Sequence, residues 1–429
     1  MELNTLLSAM QSEIELSTGC TEVGCAALAA ARAAELLNGM PDLVMVEVGE
    51  YLYKNAANVC VPGTSLRGLD AALALGFVIQ HSELGLSNLQ QATPQAEEIA
   101  RKYLQSHQIQ VRIDHHALPV FLRLACSSAS HSTVVEIAGE HSHFSNISLD
   151  GHQLLLDPPP AAGSEDFAFR GSNPRELVEF ITAQDGDVFS FLLDYAQTNH
   201  RAADSGLTNS ITSFGPALQR LDLPGNQILR AACRAQTLTA AASEARMLGL
   251  LVPVAALTGS GNHGITALLG MHTAARELGA DDHTTATALA IAVMITIFVK
   301  QSTSRLTTFC GCAVAPAAGI AAGCVQLLGG SYEQMEQAMQ SLIGTFAGML
   351  CDGAKESCAW KVSTAASAAV QFAHLAINGA YVPANNGILG SRIEETFENL
   401  GKLNNPGMVE TNRVVMEIIK HNLDREKTS

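Results

Sequence analysis

The residues best suited to chemistry in this chain are its thiols. Ten cysteines occur in 429 residues. Cys20, Cys25, Cys60, Cys310, Cys312, Cys351 and Cys358 stand beside glycine, proline or charged residues, whereas Cys126, Cys233 and Cys324 sit in apolar or alanine-rich surroundings and read as small buried hydrophobes. A thiol in a turn at a helix N-terminus has a lowered pKa, as a metal ligand or nucleophile requires. Four loci stand out: Cys20, the pair Cys310-Gly311-Cys312, Cys351 and Cys358. Their separations match neither the compact zinc-finger nor the ferredoxin spacings. Each lies at a glycine-marked helix break, from which distant segments can converge on one centre.

The run from Cys351 to Lys361 is the most crowded, holding two thiols, two ammonium groups, two carboxylates and the only tryptophan. A second run, Thr258-Gly259-Ser260-Gly261-Asn262-His263-Gly264, places glycines, hydroxyls, an amide and an imidazole ahead of an apolar helix. Backbone amides freed there suit a carboxylate or phosphate. It has no P-loop lysine, and no strand with an acidic partner follows as a dinucleotide fold would require. The segment from Asn55 through Asn58 to Thr64 reads as a turn-rich exit from a strand, with amide and hydroxyl donors. His141-Ser142-His143 has metal-ligand spacing on a strand but no third ligand close in sequence, so it reads as a solvated edge. His115 and His116 read as surface.

The elements that must position these groups follow from periodicity. Residues 1–39 read as helical, with Leu6, Leu7, Met10, Ile14 and Leu16 spaced for one face and a break at 17–22. Alternation predicts strands at 43–48, 109–113, 121–124, 133–137 and 153–156, with helices at 66–80 and 95–106 between them. Beyond residue 170 almost every segment is helical and rich in Ala and Gly. The expected fold class is therefore α+β: a large helical domain (1–40 and 165–429) carrying the thiols, and a smaller domain (41–164) with a mostly antiparallel sheet and helices on one face. The run from Asp157 to Ser164, with its three consecutive prolines, reads as the linker that closes the smaller domain.

Composition narrows the partners. A net charge of -16 argues against nucleic acid and anionic membrane, which select basic surfaces, and leaves a small molecule as the expected ligand. Hydrophobic residues make up 47% and charged residues 15%, which implies much buried helix and a buried subunit interface, hence a homo-oligomer, with a dimer as the guess. The N-terminus lacks the features of a signal peptide, so a cytoplasmic location is expected, where thiols stay reduced. The apolar run at 286–299, about 14 residues, falls short of the roughly 20 that cross a bilayer and reads as a buried helix.

Taken in order, Gly19-Cys20-Thr21-Glu22, Val61-Pro62-Gly63-Thr64, Ser260-Gly261-Asn262-His263-Gly264-Ile265, and Cys351 to Lys355 through Cys358 to Thr364 resemble the L-cysteine desulfidase family. That group is related to the iron–sulfur L-serine dehydratases, and the resemblance spans nearly the whole chain. It implies a 4Fe–4S cluster held by three cysteines, no pyridoxal phosphate, and cleavage of L-cysteine to pyruvate, ammonia and sulfide. L-serine or another β-substituted amino acid is the alternative substrate. The ligands implied are Cys20, Cys310 and Cys351. Val23 stands where the family usually has proline, Cys25 is an extra thiol, and the Cys310-Gly311-Cys312 pair leaves Cys312 as an alternate ligand, with Cys358 a further alternate. For such a reaction the candidate general bases are His263, Lys361 and Lys355, and Asn58, Thr64, Ser260, Gly261 and Asn262 are candidates to hold the substrate carboxylate and amine. A reading of another class is a metal- or thiol-based binding or sensor protein without turnover.

Overall fold

The computed structural model describes residues 2–159, 173–221 and 225–428. The fold is α+β. A six-stranded sheet runs in the order Ile109–Asp114, Leu43–Gly49, Phe121–Ser127, Ser132–Ala138, Phe144–Leu149, His152–Leu156. Its first pair is parallel and the rest antiparallel. Alternation in the strands is the cause: Val44, Val46 and Val48 face inward while Leu43, Met45 and Glu47 face out or lie half-buried. Strand 144–149 was not expected, because Phe144-Ser145-Asn146-Ile147-Ser148-Leu149 mixes polar and apolar residues too evenly to stand out.

Two large apolar cores divide the chain. One lies under the sheet and takes in Leu69–Ile79, Pro94–Ser106 and the alanine-rich helix Thr21–Leu37. Gly76 permits the close approach of the first and last of these, since a Cβ there would strike the backbone of Ala27. The helix Thr21–Leu37, placed by sequence with the helical domain, thus packs in the core of the sheet. The other core is helical and centres on Asp282–Thr303, Gly311–Leu327, Tyr332–Phe346 and Cys358–Ile377. Helix Asp282–Thr303 is long and apolar enough to span a bilayer by length and composition, but 83% of its apolar window is buried within the protein.

The N-terminal segment corrects the all-helical expectation for 1–39. A helix covers Leu3–Ser12, but Ile14–Thr18 is a strand paired antiparallel with Pro253–Leu257. The pairing is antiparallel, so Cys20, just past Thr18, and the glycine run that follows Leu257 leave it at opposite ends, and the run turns back along strand Pro253–Leu257, with Gly264 against Ala255. The expected linker at 157–164 and the boundary it marks fall largely on residues 160–172, outside the described residues.

Candidate functional site

Cys20 is the N-cap residue of helix Thr21–Leu37 and Cys310 that of helix Gly311–Leu327, the turn positions foreseen for them. Cys351 is brought to Cys310 by a short antiparallel bridge between Phe309 and Leu350. In that bridge the Cys310 N–H donates to the Met349 carbonyl at 2.6 Å and the Cys351 N–H to the Thr308 carbonyl at 2.7 Å. Cys358 opens helix Cys358–Ile377 and lies within electrostatic reach of Cys310, Cys312 and Cys351. Cys20 joins them through two side chains. Its thiol donates to Glu22 Oε2 at 2.7 Å, Asn55 Nδ2 donates to Glu22 Oε1 at 2.7 Å, and the Cys351 thiol faces Asn55 Oδ1 at 3.8 Å. The five thiols are free, and so are Cys25 and Cys60, neither of which has another thiol among its electrostatic neighbours.

Burial dominates the electrostatics. It pushes the Cys20 and Cys310 thiols well above their usual range and Cys312 up to about 12, the latter two reinforced by neighbouring thiols. Burial thus opposes the lowered pKa expected of a thiol at a helix start. Positive charge surrounds the thiols. Lys300 and Arg246 are fully or almost fully buried; Lys300 and Lys361 favour the ionised Cys312 and Cys310 respectively, and Arg246 favours that of Cys20. Burial would raise the Glu22 carboxyl, but the proximity of His141 and the hydrogen bonds from Cys20 and Asn55 hold it below the usual range. Among the described residues no three His, Cys, Asp or Glu side chains converge as they would around a single metal ion.

Four consecutive residues of the glycine run each meet different neighbours. Ser260 Oγ lies 3.4 Å from Cys312 Sγ, Gly261 lies against the Arg246 guanidinium, and Asn262 Oδ1 accepts from Ser243 Oγ at 3.1 Å. His263 follows. Its Nδ1 is 2.8 Å from Thr258 Oγ1 and 3.1 Å from the Leu257 carbonyl, and because Thr258 itself donates to that carbonyl, Nδ1 carries the ring proton. Nε2 is then an unprotonated acceptor directed toward Gly311, beside Cys310. Burial, with the charge of Lys300 next, drives the His263 pKa well below its usual value, so the ring is neutral.

The other candidates are placed differently. Lys361 donates to the Leu350 carbonyl at 2.7 Å and to Asp352 Oδ1 at 2.5 Å. Although burial opposes it, the bond to Asp352 raises its pKa, which disfavours the free amine that a base must be. Lys355 pairs with Asp352 Oδ2 at 2.5 Å. Both lysines thus clamp the loop that carries Cys351. Asn58 and Lys355 line a separate cavity of about 420 Å³ with Arg67, Glu356 and the C-terminal helix Val409–Thr428. The Thr64 hydroxyl is spent within its own turn, donating to the Val61 carbonyl and accepting from the Leu66 N–H. That turn follows helix Glu50–Ala56 and not a strand.

Two residues near the thiols escaped the sequence reading. His141, expected at a solvated edge, is buried with Nε2 3.8 Å from Glu22 Oε1, beyond hydrogen-bond length. The hairpin between strands 132–138 and 144–149 carries it from the sheet to the thiol site. Arg246 lies in the last turn of an alanine-rich helix, Gln227–Met247, where a basic residue is ordinary and does not stand out.

A family model described as the serine dehydratase alpha chain matches residues 83–417. The chain therefore belongs to the serine dehydratase alpha chain family. Among its relatives are UPF0597 proteins of Methanocella arvoryzae (40% identical, covering 98% of this chain and 99% of the relative) and Clostridioides difficile (35% identical, 96% and 98%). Another, from Bacteroides thetaiotaomicron, is 33% identical over 98% of each chain. The family match contains the glycine run, Cys310 and Cys351, while Cys20 precedes it.

Proposed function

We propose that the protein is an iron–sulfur β-eliminating lyase that takes L-cysteine to pyruvate, ammonia and sulfide. Dehydration of L-serine is the alternative that the family's name favours. The observation that supports this reading is that Cys310, Cys312, Cys351 and Cys358 lie within electrostatic reach of one another beside buried cations, with Cys20 linked to Cys351 through Glu22 and Asn55. L-Cysteine is placed first on the strength of the motif resemblance at Gly19–Glu22 and Cys351–Thr364.

The donor set fits a cluster. Soft thiols, buried and un-ionised in the free chain, give up their protons when an iron centre offsets the cost of burying their charge. A cluster spreads its ligands over several irons, so it does not require the convergence that one ion needs. Cys20, Cys310 and Cys351 would hold it, with Cys312 the alternate to Cys310, and Cys358 close by. Bound there, the cluster supplies an iron with an open position, able to act as a Lewis acid toward the substituent that leaves.

The chain's own residues do the rest. Neutral His263 offers Nε2 as the base for the Cα proton, its tautomer fixed by Leu257 and Thr258. As that proton leaves, the Cβ–S bond breaks and sulfur departs with the electron pair as hydrosulfide. The 2-aminoacrylate released tautomerises to an imine, which water hydrolyses to pyruvate and ammonium. Ser260 and Asn262 flank the substrate, and Lys361 and Lys355 hold the Cys351 loop in place through Asp352. We expect a homodimer, which analytical ultracentrifugation reads directly.

Iron and acid-labile sulfide analysis of anaerobically purified protein tests the reading, together with sulfide release from L-cysteine and pyruvate release from L-serine. A colourless, iron-free anaerobic preparation overturns it. Stoichiometric zinc without turnover supports the sensor instead. If iron is present, the faster of the two releases assigns the substrate.

A further inference from the structure

Arg246 is 2% exposed, yet among the described residues its guanidinium makes no ion pair and no hydrogen bond, and Nε is enclosed without a partner. An unpaired buried charge is costly, so such a group persists where an anion arrives from outside. The guanidinium lies against Gly261, where a Cβ would overlap Nε and Cζ. Gly261 has no positive φ, so its lack of a side chain serves the space that Arg246 occupies and not a backbone turn. Asn262, the next residue, is tied through Oδ1 to Ser243, one helical turn before Arg246, and its amide nitrogen donates to no described residue. Cys20 and His263 both lie within the field of Arg246.

From this geometry we propose that Arg246 binds the α-carboxylate of the amino-acid substrate, its planar fork donating to the two oxygens with the Asn262 amide beside it. The assignment rests on the β-elimination reading for its substrate class, but the site itself is defined by the unpaired guanidinium. A fork of N–H donors matches a carboxylate in two parallel bonds, which a lysine cannot reproduce. Orientation follows: a carboxylate held at Gly261 leaves the amino acid between the loop that carries His263 and the thiols. The charge that Arg246 exerts on Cys20 offers a different role, as counter-ion to a ligand thiolate, and the two make different predictions.

The test compares wild type, Arg246→Gln and Arg246→Lys, purified anaerobically, by calorimetric binding of L-alanine and of L-alaninamide, which lacks the carboxylate charge. Neither compound has a β-leaving group, so binding is read without turnover. The expected result is that wild type prefers L-alanine, that Arg246→Gln weakens L-alanine roughly 100-fold while leaving the amide nearly unchanged, and that Arg246→Lys falls between. Iron per chain and the melting temperature should stay close to wild type in all three. Three results overturn the proposal: equal affinity of wild type for the two compounds, undetectable binding of L-alanine by wild type, or loss of iron in Arg246→Gln with affinity for L-alanine retained. If Arg246→Gln does not fold, Gly261→Ala, whose Cβ displaces the guanidinium, should give the same selective loss; retained preference for L-alanine in that variant overturns the proposal. Failure of the lyase reading has a separate sign: carboxylate-dependent binding that persists in protein that eliminates from neither L-cysteine nor L-serine.

Discussion

At the scale of single residues, the site separates side chains of one type by their surroundings. Cys310 and Cys312 are two residues apart, but only Cys310 caps its helix within the Phe309–Leu350 bridge, while Cys312 faces Ser260. Replacing Cys310 or Cys351 with serine should abolish iron binding, and Cys25→Ser should leave it intact; iron per chain and absorbance near about 400 nm report this. Iron lost in Cys312→Ser and kept in Cys310→Ser would exchange their roles. His263 gives a pH dependence. Its folded pKa is depressed, so an unfolded chain takes up a proton near about 6.5 where the folded one does not. The stabilisation from keeping this ring neutral is present above that pH and is lost as pH falls below it. The slope is at most about 1.4 kcal/mol per pH unit, and urea titrations from pH 8 to 5 on wild type and His263→Gln should show a shallower fall in the variant.

At the scale of elements, small residues set how closely helices approach. Gly319 faces the backbone of Ala292 on the neighbouring helix, and a Cβ there would overlap the Ala292 carbonyl. Alanine is the better helix former by about 1 kcal/mol, but overpacking a tight contact costs about 1–3 kcal/mol, so Gly319→Ala should lower the melting temperature. A rise would show that the two helices can part. Sequence foresaw the apolar helix at 286–299, five of the six strands of the large sheet and the cysteine-bearing turns, because each has a local signature: length, alternation or a glycine break. It missed strand Ile14–Thr18, because five residues beginning with Ile14-Glu15-Leu16 continue a helical pattern as readily as an alternating one. Its partner, Pro253–Leu257, lies 235 residues or more away and decides between them.

At the scale of the molecule, the two cores meet at charged contacts. Arg305 forms two hydrogen bonds to Glu13 at 3.0 and 3.2 Å, with both side chains 9% exposed, and reaches Glu140 of the sheet hairpin at 2.5 Å. Arg305→Ala should destabilise by about 3 kcal/mol, because it leaves Glu13 buried and unpaired. Glu140→Gln should cost less than about 1 kcal/mol, because Glu140 is more than half exposed. Chemical denaturation of the two variants separates these outcomes, and equal losses would refute the division. The same hairpin carries His141 to Glu22, so Arg305→Ala should also loosen the approach of the sheet to the thiols.

The sequence by itself determined the class of fold, the cysteines worth following and the glycine run that accompanies them, since residue type and local spacing encode turns, helices and soft donors. Tertiary structure decided which of these groups share a space. Cys20 reaches Cys351 through Glu22 and Asn55, while the Asn58 side chain lines another cavity and the Thr64 hydroxyl stays within its own turn. Arg246 and His141 became visible only there, because a charge buried at long range leaves no periodic trace in the chain. Desolvation, which raises the thiols of Cys20 and Cys310, depends on every segment packed around the site.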